Sequence, residues 1–184
     1  MNNPEYIPID ELALIVEATR LQLVENGMTL PYLNYQYGYI RELNATLIQM
    51  DSNNIDKEKR FPLVWAEQPF VISRGSSAAY FGEIDIWRVF IMDYEPVTSK
   101  AKQRVNGHFK TKIWPIYREL LRQVDLSVAF STMGVERIAH TKQDIFWWGD
   151  EQKAILDVPV DCSIVTFRKL QIANNPNCTP VHNF

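Results

Sequence analysis

Cysteine is almost missing from this sequence: two occur in 184 residues, Cys162 in an apolar run and Cys178 in a polar tail. Two are too few for the disulfide framework of a small secreted domain or for a structural zinc site, and they fit a reducing compartment. Glycine is sparse, at seven, which leaves little for loops that cradle phosphate through clustered backbone N–H groups. Arg74-Gly75-Ser76-Ser77 lacks the Gly-Lys-Ser/Thr continuation such a loop needs, and it reads as a hairpin tip. Histidine occurs three times, at 108, 140 and 182, and neither a His-x-x-x-His nor a Cys-x-x-Cys pair is present. No metal site and no cofactor is expected. No apolar run approaches the roughly 20 residues that a membrane helix needs. The first 25 residues begin Met-Asn-Asn-Pro-Glu and carry acids throughout, unlike a signal peptide, so an unexported protein away from membranes is expected. Neither sign of charge dominates: 19 basic and 22 acidic residues leave a formal net charge of −3, no global attraction to nucleic acid or an anionic membrane.

What is present is the balance of a folded globular chain, 46% hydrophobic, 12% aromatic and 22% charged, at a length that suits one domain. Asp10 is placed to cap a helix with Leu12, Ile15, Val16, Leu23 and Val24 on one face and a polar break at Thr19, stopped by Asn26-Gly27. The stretch 30–39, with Tyr32, Tyr35, Tyr37 and Tyr39, reads as a connection into a short helix marked by Ile40, Leu43, Leu47 and Met50. Period-2 patterns then predict strands over 61–73, limited by Pro69, and over 81–94, where Trp87 to Met92 is apolar on both faces except for Arg88. Pro96 ends that strand. Thr98 or Ser99 can cap a long helix reaching about 124, with Val105, Phe109, Ile113, Tyr117, Leu120 and Val124 on one face, and with Gly107 and Pro115 as strains that predict a kink. Two more strands are predicted over 135–148 and 155–172. The fold class is therefore α+β: helices packed on a mostly antiparallel sheet, two β-hairpins separated by a long helix. One domain is expected over 1–184, with an N-terminal arm 1–8, a core 9–172 and an extended C-terminal arm 173–184.

Chemistry is thin in this pattern. His140 stands four residues from Glu136 and from Asp144, and on a strand all three share a face, yet the residue reads as an ordinary structural histidine. Glu83 with Asp85, and Asp157 with Asp161, are the polar faces of alternating strands rather than a catalytic carboxylate pair. From Pro96 to Arg118 there is no acid, and Lys100, Arg104, His108 and Lys112 recur every four residues as a basic stripe. Like charges at that spacing cost a few tenths of a kcal/mol per pair, so something is expected to compensate them. The stripe is either a solvated helix face or a surface for an anionic partner, DNA phosphate or an acidic neighbouring subunit. Trp147 and Trp148, consecutive on a strand, must point to opposite faces. With Tyr35 and Tyr37 they are the candidate interface residues of a homo-oligomer whose arms reach across subunits.

Three segments are familiar together: Arg60-Phe61-Pro62-Leu63-Val64 opening a strand, Phe-x-x-x-Ile-x-Pro-Ile-Tyr-x-x-Leu-Leu from Phe109 to Leu121, and His140-Thr141-Lys142 leading to Trp147-Trp148-Gly149. They resemble a family encoded in phages and prophages of Bacteroidetes, associated with head-to-tail structural genes, over Pro31 to Ile172. The order of elements is similar to that of the tail terminator proteins that close long phage tails. The resemblance implies a non-enzymatic virion protein, made in the bacterial host cytoplasm, that forms a homo-oligomeric ring, a hexamer, at the head-proximal end of the tail. Its partners would be itself, the tail tube protein and the neck or connector proteins. The hairpin tip with Arg74 and Tyr80 would bridge subunits, and the basic stripe would face DNA in the lumen or an acidic neighbour. The basic segment Lys100 to Lys112 and the short turn Gly149 to Gln152 depart from the family's pattern. Alternatives are a head completion or connector protein, a tail tube protein and, from another class, a small cytoplasmic enzyme using His140.

Overall fold

The computed structural model describes residues 7–52, 60–74, 80–94, 101–131, 138–143 and 160–173. In chain order the elements are α1 (Pro8–Glu25), β1 (Asn34–Tyr39), a 3-10 turn (Ile40–Glu42) leading into α2 (Leu43–Ser52), β2 (Leu63–Gln68), β3 (Ile72–Arg74) and β4 (Tyr80–Tyr94). A continuous helix, α3, follows in three segments, Ala101–Gln103, Arg104–Ile113 and Trp114–Leu126, and then β5 (Phe130–Ser131), β6 (Ile138–Gln143) and β7 (Val160–Ala173). All seven strands join one sheet in the order β1-β2-β4-β7-β5, with β3 also on β4 and β6 also on β7. Among the described strands only the β1–β2 pair is parallel. The fold is α+β, and both hairpin partners predicted from the sequence, β2 with β4 and β6 with β7, pair antiparallel on either side of α3 in the chain.

Local chemistry sets the boundaries. Helix α1 begins at Pro8, whose missing N–H falls in the first turn where no intrahelical partner exists, two residues before the predicted cap at Asp10. It ends where Gly27 takes φ +87°, its N–H bonded to Val24 O and that of Met28 to Leu23 O, a Schellman closure. The face predicted for it is corrected at two positions: Thr19 is buried, its Oγ1 returned to Ile15 O at 2.8 Å, and Val24 is exposed. The tyrosine-rich stretch predicted as a connection is strand β1 over residues 34–39. Tyrosine suits a pleated, half-covered surface, and Tyr35 Oη donates to Ile9 O at 2.9 Å, tying the strand to α1. The single strand predicted over 61–73 is two, because Pro69 has no N–H for the ladder.

The sheet is covered on both faces, as the apolar run Trp87 to Met92 requires. One face, with Val64, Ala66, Val89, Ile91, Val165 and Phe167, packs on α1 and α3. The other, with Leu63, Trp65, Phe90, Met92 and Cys162, packs on Leu43 and Leu47 of α2 and on Phe61. The two long central strands change phase together. Ile84 and Trp87 both point to the α1/α3 core, with Asp85 and Ile86 exposed between them; opposite, Phe167 and Leu170 do the same around Arg168 and Lys169, where Lys169 takes φ 56°. The paired irregularity turns four side chains, among them Ile86 and Arg168, away from the α1/α3 core at that end of the sheet.

Candidate functional site

The middle segment of α3 is wound as a π-helix, Arg104–Ile113, in which Trp114 N–H reaches Phe109 O. Ten residues exceed the single-turn bulge in which this winding usually occurs. Its effect is on facing. In an α-helix the nine steps from Arg104 to Ile113 make about two and a half turns, so the two would look in opposite directions. The wider winding needs more residues per turn and puts Arg104, His108, Phe109 and Ile113 all inward. Gly107 is exposed at its outer side, and Pro115, which has no N–H to give, falls in the first turn of the α segment that follows. Where these two residues predict a kink, the helix changes winding from π to α.

Against this segment the sheet presents two carboxylates. Asp93 of β4 and Asp161 of β7 are direct cross-strand partners, and both are buried, at 3% and 1% exposure. Like charges directly opposite each other destabilise a strand pair, and burial makes it worse. Helix α3 supplies what is needed. Arg104, 2% exposed, ion-pairs with Asp161 Oδ1. His108 sits between the carboxylates, with Nε2 2.6 Å from Asp93 Oδ2 and Nδ1 3.7 Å from Asp161 Oδ2. Lys112 Nζ closes the outer side at 3.3 Å from Asp93 Oδ2, and Tyr94 N–H donates to Asp93 Oδ1 at 2.9 Å. The cluster binds the π segment to one end of the two central strands.

This overturns part of the sequence expectation. Arg104 and His108 are not on a solvated face and do not await an outside anion, because their anions lie within the chain. Lys112 is half exposed at the rim, and Lys100 lies outside the described residues. Asp161, predicted on a polar strand face, is the most deeply buried member of the cluster. The basic helical stretch without acids was the legible signal, and Asp93, at the end of a strand apolar on both faces, was the partner that reasoning missed.

A cavity of about 440 Å³ opens beside Asp93 and Lys112, walled by Leu30, Tyr32, Phe61 and Tyr94. His108 does not line it. Cys162, on the opposite face of β7, is fully buried, which together with neighbouring Asp161 pushes its thiol well above its ordinary range, against a lowering by its backbone hydrogen bond with Ile91. No group of His, Cys, Asp and Glu among the described residues is arranged to hold a metal ion. No helix among the described residues is long and apolar enough to cross a membrane.

The remaining predicted residues scatter. Tyr35 is largely buried against α1, and burial raises its phenol, with Asp10 and Tyr37 adding to the shift. Tyr37 is exposed on β1. Arg74 closes β3 and Tyr80 opens β4, flanking the 75–79 tip, which lies outside the described residues. Backbone pairing sets His140 opposite Val165. Trp147 and Trp148 lie outside the described residues, as do residues 1–6 and 174–184 of the predicted arms. Compared with protein-family models and with curated proteins, the chain matches none.

Proposed function

We propose that this chain is a bacteriophage structural protein of the neck, a tail terminator that closes the head-proximal end of the tail as a homo-oligomeric ring and offers its upper surface to the connector. The observation that carries the reading is the order of elements around one sheet, a helix and a strand pair, a long helix, then a second strand pair, coinciding with the motifs that resemble the phage family. The charge chemistry supports a binding role. The strongest polar constellation among the described residues, Asp93, Asp161, Arg104 and His108, is spent on fastening helix to sheet. Exposed aliphatic residues on α1, on β4 and in the β2–β3 connection, Leu14, Leu21, Ile86 and Val71, supply surface for association.

Native mass measurement of the purified chain, alone and mixed with the tail tube protein from the same phage genome, tests the reading. A terminator gives a closed ring of fixed mass that caps tubes and halts their growth. Open-ended polymers from the chain alone identify a tube protein instead, and exclusive binding to the portal side identifies a head completion or connector protein. A chain that binds none of them overturns the proposal.

A further inference from the structure

Helix α1 carries apolar residues on a side that its own core does not use. Its inner face, Leu12, Ile15, Val16 and Leu23, is buried. On the outer side the exposed positions are Ile7, just before the helix, then Asp10, Leu14, Glu17, Leu21 and Val24, spaced alternately by three and four residues. That spacing is one continuous stripe along a helix, and four of its six members are aliphatic, Leu14 with 66% of its surface exposed. A single exposed leucine is unremarkable, but a row of them down one stripe marks a surface meant to be covered.

The opposite face of the sheet has a second uncovered surface. Helix α2 covers the end of that face that holds Trp65, Phe90 and Met92. Toward the other end, where the central strands change phase, Ile86 and Val71 stand exposed around a groove of about 350 Å³ lined also by Pro69, Phe70, Glu67 and Arg88. Arg168 is the cross-strand neighbour of Ile86, and exposed Lys169 follows it. The sheet surface thus joins an apolar centre to a mixed rim, the cations Arg88, Arg168 and Lys169 with the anions Glu67, Asp85 and Glu83, of which Arg88 and Glu67 are paired with each other. The helix stripe is bordered by three anions, Asp10, Glu17 and Glu25, against one cation, Arg20, which is paired with Glu17.

We infer that the outer stripe of α1 docks on the Val71–Ile86 surface of a second copy of this chain. That contact sets the acidic stripe beside Arg168, the cross-strand neighbour of Ile86, whereas α1 against α1 sets two acidic stripes face to face. The two surfaces lie on opposite faces of one sheet, so a chain cannot satisfy itself. Every copy offers one stripe and one groove, the head-to-tail arrangement that closes when the rotation between copies sums to a full turn. The inference rests on the ring reading and names the surfaces that would build it.

Two variants with complementary lesions test it: Leu14→Glu with Leu21→Glu, which spoils the stripe, and Ile86→Glu with Arg168→Glu, which spoils the groove. All four positions are exposed, and unchanged circular dichroism confirms that both proteins fold. By analytical ultracentrifugation each variant alone should lose self-association at least about tenfold in Kd. An equimolar mixture should form a one-to-one heterodimer and nothing larger, since one intact stripe then meets one intact groove. Undiminished association of either variant overturns the contact, and a groove variant that associates like the wild type while the stripe variant does not identifies α1–α1 pairing instead. A ring that survives both lesions sinks the contact and leaves the ring reading standing. Heterodimers from the mixture together with open filaments from the wild type establish the contact and sink the ring. A wild-type chain that stays single at every attainable concentration sinks both.

Discussion

Two carboxylates that repel each other across a strand pair are tolerable only because α3 brings the opposite charge, and the energetics are accordingly asymmetric. Arg104→Met leaves Asp161 buried without its guanidinium, and the loss should be about 3–5 kcal/mol, read as a lowered urea midpoint. Adding Asp161→Val to that variant should recover much of it, since a buried pair replaced by apolar groups costs far less than a broken one. A second expectation concerns Cys162. In a Cys178→Ser variant, whose only thiol is Cys162, native protein at neutral pH should resist alkylation and should react fully once unfolded in guanidinium; rapid labelling of the folded chain would contradict the burial. Glu119 gives a pH dependence. Hydrogen bonds from Arg122, aided by Gln123, lower its pKa from the ordinary 4.5 against the opposing effect of burial. Its folded value lies below its unfolded one, so its contribution is complete above about 4.5 and is lost as pH falls through the folded value. Denaturant titrations between neutral and acid pH should show Glu119→Gln losing less stability on the acid limb than the wild type. Of these residues only the helix cations were legible as a group. The alternation around Asp161 was correctly read as a strand, but alternation assigns polar residues to the open face, and here a helix covers that face and brings its own charges.

For the elements, propensity and period recovered α1, α2, the central strands and the length of α3, and they missed whatever depended on winding or on neighbours. No period in the sequence announces a π segment, because Arg104 and His108 belong to its inner face only through their partners on β4 and β7. Strand β1 was missed for a related reason: its six residues, Asn-Tyr-Gln-Tyr-Gly-Tyr, lack a clear apolar alternation, and β2 beside it gives them their strand geometry. Two glycines separate these cases experimentally. Gly107 is exposed, and a Cβ there meets nothing within 4 Å, so Gly107→Ala should raise stability by about 0.5–1 kcal/mol. Gly38 has φ +153°, and a Cβ there would lie 3.1 Å from the Trp65 ring and 2.8 Å from Glu42 Oε2. Gly38→Ala should therefore cost about 1–3 kcal/mol, measured as a lower thermal midpoint.

At the scale of the whole molecule, β4 and β7 form the spine: each is paired along both edges and covered for much of its length on both faces. Their amides should be the last to exchange with deuterium, and those of β1, an end strand of the sheet order, should exchange orders of magnitude sooner. The spine also bears on how the protein is made. A ribosome delivers β4, then α3, and β7 only after the remaining described strands, so the sheet lacks its central partner through most of synthesis. When β7 arrives, its Asp161 comes opposite Asp93, a like-charge pairing that Arg104 and His108 offset. Nascent chains stalled before residue 160 should therefore remain open to protease, and the protein should acquire its native resistance in one step when β7 leaves the exit tunnel.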